Sequence, residues 1–156
     1  YNRNLGGYNI SFSIQMQGAG DHEPLQTESS MEDFVIDFDT ESINFMARIN
    51  SVEYLNSLVR VVGWFYTGSL RVDSKRELYL VLRGESGRCY RVEVERFVSD
   101  EARRTYDSRY GNVGFEILVD KDKLEESDQK YQIGVMISGD KRQDWFVQWT
   151  ERWILR

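Results

Sequence analysis

Apolar and polar residues alternate along most of this chain, and short polar turns separate the alternating stretches. The alternation is clearest between Leu58 and Ile137, where Tyr90, Val92 and Val94 alternate with charged neighbours. Side chains two residues apart lie on the same face of a β-strand, so this spacing is typical of strands with one buried face. The region therefore predicts a framework of antiparallel strands joined by polar turns.

Two segments upstream extend the prediction. Tyr8–Gln15 alternates cleanly and is predicted as a leading strand. Ile43–Val52 is predicted to pair with Leu58–Tyr66 as a hairpin with a loop of about five residues. The two faces predicted for this second strand are Leu58, Arg60, Val62, Trp64 and Tyr66 on one side, and Val59, Val61 and Phe65 on the other.

The end of the chain is rich in tryptophan. Trp145, Trp149 and Trp153 are spaced four apart, which fits a helix face and a strand face alike. Val147 and Leu155 fall at the same parity, which favours a strand. With this segment the total is about nine strands, which predicts an all-β fold, an antiparallel β-sandwich of jelly-roll or immunoglobulin-like type.

Two stretches break the alternation. From Gly18 to Asp33 the residues are those of an exposed loop, in which His22 is interpreted as solvated. Residues 1–33 are thus predicted as a leading strand and flexible loop packed on the same domain, and residues 34–156 as the β-sandwich domain. Ser99 is predicted to cap a single helical turn that runs to Tyr106.

Length and charge restrict the possible partners. The 156 residues fit one domain, and 26 acidic against 20 basic residues give a net charge of −6. Nucleic acid and anionic membrane surfaces are disfavoured as general partners for this reason. No apolar run approaches the roughly 18 residues of a transmembrane segment. Cys89 is the only cysteine, so no intrachain disulfide forms, which favours a reducing compartment.

The sequence contains no recognisable catalytic motif. With one histidine there is no Ser-His-Asp or Cys-His arrangement, and no nucleotide-binding loop is present. The acidic residues Asp37, Asp39 and Glu41 are interpreted as a solvated rim rather than a hydrolase pair. We therefore expect a domain that is not itself an enzyme and needs no cofactor. A structural Ca²⁺ is left open, with the loop oxygens of Asp100, Asp107, Asn112, Asp120 and Asp122 as its candidate ligands.

Aromatic residues supply the candidate binding sites. Rings on strands either pack in a core or offer a flat surface on which a sugar stacks, and both interpretations stay open. A second candidate is the irregular loop after Ser99, a basic aromatic patch suited to a phosphate or an anionic sugar, or else a solvated or protein-contact loop. The candidate ligand-binding residues are Trp64, Tyr66, Arg103, Arg104, Tyr106, Arg109, Tyr110, Trp145 and Trp149.

Short motifs between residues 43 and 137 resemble a known group of domains. Ile49, Ser51 and Val52 precede a Gly-Trp-Phe-Tyr strand at residues 63–66. Gly114-Phe115 then leads, through Asp120 and Leu124, to a Tyr-x-Ile-Gly-Val pattern from Tyr131. This arrangement resembles the β-rich accessory domains joined to bacterial glycosyltransferases and to glycerol- or ribitol-phosphate transferases of teichoic acid type.

The resemblance implies a non-catalytic module of a cell-surface polysaccharide or teichoic-acid synthase. Such a module would be cytoplasmic, membrane-associated through its parent protein, and in contact with the attached glycosyltransferase catalytic domain. Its partner would be a glycan or phosphopolymer acceptor, or another copy in a homo-oligomer. The alternatives are a purely structural domain for dimerisation or inter-domain packing, an extracellular carbohydrate-binding module of a glycoside hydrolase, and a small hydrolase. An exposed aromatic face would favour the binding functions.

Overall fold

The structure, a computed structural model, describes residues 22–36, 45–67, 76–106, 112–139 and 145–156. The predicted strand Tyr8–Gln15, the candidate residues Arg109 and Tyr110, and the acidic residues Asp37, Asp39, Glu41 and Asp107 lie outside these ranges. Among the described residues, no helix has the length and apolar content needed to cross a bilayer.

Nine strands and one short helix lie within the described ranges. In chain order they are β1 (Met31–Phe34), β2 (Phe45–Leu55), β3 (Leu58–Thr67), β4 (Leu78–Gly84), β5 (Cys89–Glu93), β6 (Glu95–Phe97), α1 (Asp100–Thr105), β7 (Gly114–Asp120), β8 (Lys130–Ser138) and β9 (Trp145–Leu155). Between β7 and β8 there is a single 3-10 turn, Lys121–Lys123. The predicted all-β class and the strand at the end of the chain are confirmed.

The strands form two antiparallel sheets packed face to face. One has five strands in the order β9-β8-β4-β5-β1, and the other has four in the order β2-β3-β7-β6. The core between them is built by alternate residues of each strand, as the period-two pattern predicts. Val59, Val61 and Phe65 of β3 have no exposed surface, as is the case for Leu80 and Leu82 of β4. The β-sandwich prediction is therefore confirmed.

The β2–β3 hairpin is tighter than predicted. Leu55 pairs directly with Leu58, so the loop is the two residues Asn56 and Ser57 rather than about five. Asn56 has a φ of 61°, which an asparagine adopts more readily than most residues. The left-handed turn lets both strands continue to the tip, and the pairing therefore includes Glu53 and Tyr54.

Two segments cover the outer face of the four-stranded sheet. At one end lies α1, which begins as predicted with the Ser99 hydroxyl accepting a hydrogen bond from the Ala102 amide at 3.2 Å. At the other end lies a segment that we call the strap (residues 22–30). The amide of Ser29 donates to the Leu118 carbonyl at 2.7 Å, and the amide of Glu93 donates to the Ser30 carbonyl at 2.9 Å. Because Leu118 and Glu93 belong to different sheets, the strap links the two layers before it enters β1.

The strap also encloses a charged cluster, so the prediction of a solvated His22 is wrong. The imidazole of His22 stacks on Phe97 with ring centroids 4.0 Å apart, and its Nε2 contacts the carboxylate of Glu116. Glu116 is fully buried and accepts hydrogen bonds from Arg60 Nε at 2.5 Å and from the Leu25 amide at 3.1 Å. Burial acts to lower the pKa of Arg60, but the hydrogen bonds and charges of its acidic neighbours raise it above the ordinary value.

Candidate ligand-binding cleft

The outer face of the five-stranded sheet carries a second, smaller apolar cluster. Its centre consists of Val81, Cys89, Met136 and Val147, which are all buried although they point away from the core between the sheets. They are packed beneath a ring of larger side chains, namely Phe34, Ile36, Tyr79, Trp145 and Trp149. Two of the predicted binding residues, Trp145 and Trp149, are thus on this face.

A cleft of about 560 Å³ opens within this face, between Trp149 and the chain that continues from β1. Its volume lies in the range of small-molecule sites in proteins. The lining combines apolar side chains with three charged ones, and consists of Asp33, Phe34, Val35, Ile36, Arg83, Gly87, Arg88, Cys89 and Trp149. The cleft can therefore offer both apolar contact and charge to a ligand.

Trp149 forms one wall of the cleft. It pairs across the strands with Gly134, and a Cβ added at Gly134 would lie 2.6 Å from the indole ring. The absence of a side chain there lets the ring lie directly over the β8 backbone. The guanidinium carbon of Arg83 lies 3.9 Å from the ring centroid. Trp149 is therefore held between the sheet and an arginine, and the edge of its ring borders the cleft.

Arg83 differs from the other cations of this face in its partners. Its Nη2 donates to the side-chain oxygen of Gln132 at 2.8 Å, and no carboxylate of the described residues pairs with it. Arg88 instead contacts Asp33 at 3.1 Å, and Arg91 pairs with Glu32. Two of the three guanidinium groups are thus neutralised by acids, and Arg83 is held by a neutral amide and an aromatic ring.

The floor of the cleft contains the thiol of Cys89. Burial raises the pKa of this thiol, and the positive charge of Arg83 acts in the opposite direction. The charge of Arg83 therefore acts on the thiol of Cys89 at the cleft floor. A buried thiol with a raised pKa is a poor nucleophile, so Cys89 is suited to packing.

The remaining described candidates lie on the other sheet, beside α1. Trp64 is only 3% exposed, and its indole Nε1 donates to Glu101 at 3.0 Å. Because α1 covers its ring, Trp64 is a packing residue and offers no surface on which a sugar could stack. Tyr66 stacks on Tyr106 with centroids 4.0 Å apart, so these two rings occupy each other's faces.

The basic residues of that region are exposed. Arg103 and Arg104 lie in the last turn of α1, and Arg103 has Asp100 at 3.8 Å. The structure thus separates the predicted binding residues into one group at α1 and another, Trp145 and Trp149, on the opposite sheet. Of the candidates that the structure describes, Trp149 alone lines the cleft.

The loop oxygens considered for Ca²⁺ have local roles where they are described. Asp120 caps the 3-10 turn by accepting from the Asp122 amide at 3.0 Å, and Asp100 faces Arg103. Within the described ranges, no group of three His, Cys, Asp or Glu side chains converges in a way that could hold a metal ion.

Comparison of the chain with family models, curated proteins and solved structures found no match. The functional interpretation therefore rests on the cleft and on the motifs of the sequence. The sequence reasoning missed Phe34, Ile36, Arg83 and Cys89 as cleft residues. The sequence did contain one signal for Arg83. This residue alternates in step with Tyr79 and Val81, so these three residues lie on one face of their strand, and that face is both apolar and basic.

Proposed function

We propose that this domain is a non-catalytic carbohydrate-binding module, an accessory part of a bacterial cell-surface glycosyltransferase, and that a glycan chain binds in the outer-face cleft. The observation that carries the proposal is the cleft of about 560 Å³, in which apolar walls meet two arginines and an aspartate. The accessory role rests on the resemblance of residues 43–137 to domains of such enzymes.

The chemistry of the lining suits a sugar. A pyranose ring has apolar C–H faces and a periphery of hydroxyl groups. Phe34, Ile36 and the edge of the Trp149 ring supply apolar surface in the lining. Arg88 and Asp33, which hydrogen-bond to each other at 3.1 and 3.2 Å, supply donors and acceptors at the rim. Binding sites of this kind are mostly apolar, with a few polar groups that fix orientation.

The test is a calorimetric and NMR titration of the domain with a panel of bacterial surface glycans. We expect saturable binding that shifts the signals of Trp149 and Phe34. Trp149→Ala should remove the binding, since it removes one wall. The matched control is Trp153→Ala, which lies on the same strand and outside the cleft, with 37% of its surface exposed. This control should bind like the wild type, and urea unfolding of both variants separates loss of binding from loss of fold.

Two results would contradict the proposal. One is equal loss of affinity in both tryptophan variants while they remain folded, which would move the site away from the cleft. The other is an absence of binding across the panel together with a stable dimer in sedimentation. That outcome would favour the structural alternative, a domain for dimerisation or inter-domain packing.

A further inference from the structure

Among the described residues that line the cleft, positive charges outnumber negative ones. Asp33 is the one carboxylate among the described lining residues, whereas Arg83 and Arg88 are both present. Asp33 is already engaged by Arg88, so the positive charge of Arg83 remains without a counter-charge among the described residues. Arg83 is therefore a half-buried cation at the cleft whose described neighbours include no carboxylate partner, on a chain with a net charge of −6. We infer that the glycan bound here carries an anionic group, a carboxylate or a phosphate, and that Arg83 selects it.

The guanidinium of Arg83 is held in a defined position. Its stacking on Trp149 at 3.9 Å and its bond to Gln132 at 2.8 Å fix both the plane and one edge of the group. A guanidinium has five N–H donors, and with the described residues Arg83 makes one hydrogen bond, to Gln132, so several donors face no described acceptor. A planar pair of N–H groups matches the two oxygens of a carboxylate or a phosphate.

The other basic groups on this face explain why Arg83 is the selecting residue. Arg91 lies over the rings of Phe34 and Tyr79 at 4.9 and 4.5 Å, and it pairs with Glu32. An incoming anion would have to compete with that carboxylate. At Arg83 it would displace no carboxylate of the described residues, and it would gain an interaction that the apolar surroundings screen weakly.

This inference rests on the proposed function, so its experiment compares a neutral ligand with anionic ones. The probes are a neutral oligosaccharide, a hexuronate oligosaccharide of the same length, and a glycerol-phosphate oligomer. We expect the wild type to bind at least one anionic probe roughly tenfold or more tighter than the neutral one, with an affinity that falls as salt rises. The uronate and phosphate arms identify which anion is preferred.

Variants assign the preference to a residue. Arg83→Gln keeps a polar side chain next to Gln132 and should lose the preference for anions while it retains the weaker neutral binding. Arg83→Lys keeps the charge without the planar fork and should show an intermediate preference, and it also serves as the second variant if Arg83→Gln folds poorly. Arg91→Gln is the matched control on the same face and should keep the wild-type preference.

The outcomes separate this inference from the proposed function. If the wild type binds neutral and anionic probes equally, or if Arg83→Gln keeps the preference, the selection by Arg83 is refuted while glycan binding stands. If Arg91→Gln removes the preference as completely as Arg83→Gln, selection by one residue is likewise refuted. If no probe binds, the proposed function fails and the inference fails with it.

Discussion

Replacing Arg60 with methionine removes the main partner of a carboxylate that has no contact with solvent. The side chain of Glu116 is 0% exposed and that of Arg60 is 11% exposed, and Nε and Oε2 are 2.5 Å apart. The variant would leave Glu116 under the strap with His22 and the Leu25 amide as its remaining partners.

The expected destabilisation follows from this geometry. Removing one partner of a buried ion pair generally destabilises a protein by about 3–5 kcal/mol, because the charge of the other partner stays buried. Since Glu116 keeps two partners, we expect Arg60→Met to lower the free energy of unfolding by about 3 kcal/mol. In a domain of this size that corresponds to a fall in Tm of roughly 6–12 °C. The double variant Arg60→Met, Glu116→Leu buries no unpaired charge. Its free energy of unfolding should therefore fall by about 2 kcal/mol less than the sum of the decreases in the two single variants.

Urea unfolding of the wild type, both single variants and the double variant provides the test. The matched control is Lys123→Met, which breaks an equally direct contact of 2.9 Å to Glu28. That pair is exposed, so the urea midpoint of the control should hardly move. Additive effects of Arg60→Met and Glu116→Leu would refute the reasoning, since they would show that the two charges do not stabilise each other in the folded state.

Three further predictions concern the five-stranded sheet. Burial raises the pKa of Tyr131 to about 12, from about 10 in an unfolded chain, so the folded state holds this proton more tightly. The raised pKa of Tyr131 should therefore stabilise the fold fully below pH 10, and this stabilisation should disappear between pH 10 and about 12. In Tyr131→Phe the free energy of unfolding, measured against pH, should fall less over that range. Gly134→Ala should displace the Trp149 ring, because the new Cβ would lie 2.6 Å from it. The displacement should change the tryptophan fluorescence and remove glycan binding, and an unchanged fluorescence spectrum would contradict the prediction. Alkylation of Cys89 should be slow at neutral pH, and a ligand in the cleft should slow it further. It should also be slower in Arg83→Gln, because this variant lacks the charge that lowers the thiol pKa. Faster alkylation of Arg83→Gln than of the wild type would contradict the expected charge effect.

Local alternation explains what could be predicted from the sequence. The faces of β3, the strand at the end of the chain and the cap at Ser99 each depend on residues within a few positions of one another. In such segments the period of the pattern and the chemistry of one side chain determine the local structure. The hairpin loop was predicted too long because β2 has an irregularity between Ile49 and Ser51, after which Val52 rather than Ser51 packs in the core and the alternation changes phase.

Long-range pairing explains what could not be predicted. Glu116 occupies a polar position in a strand, which normally indicates a solvated face, yet it is covered by His22 from 94 positions earlier in the chain. The cleft likewise depends on β1 pairing with β5 and on Trp149 meeting a glycine of β8. Neither pairing has a local signal, and the order of strands in a sheet is set by the fit of the whole core.

The contacts between β2 and β9 bear on how the domain behaves when it is crowded. These strands are the neighbouring edges of the two sheets, and the unpaired main-chain groups of an edge strand are a template for aggregation. Here Arg152 donates to the Ile49 carbonyl at 3.2 Å, and the Leu155 amide donates to the Tyr54 hydroxyl at 2.9 Å. An incoming strand would have to displace both side chains before it could pair with those groups. At these two positions the edge strands are therefore guarded against the addition of a further strand, the step by which fibrils grow at high local concentration.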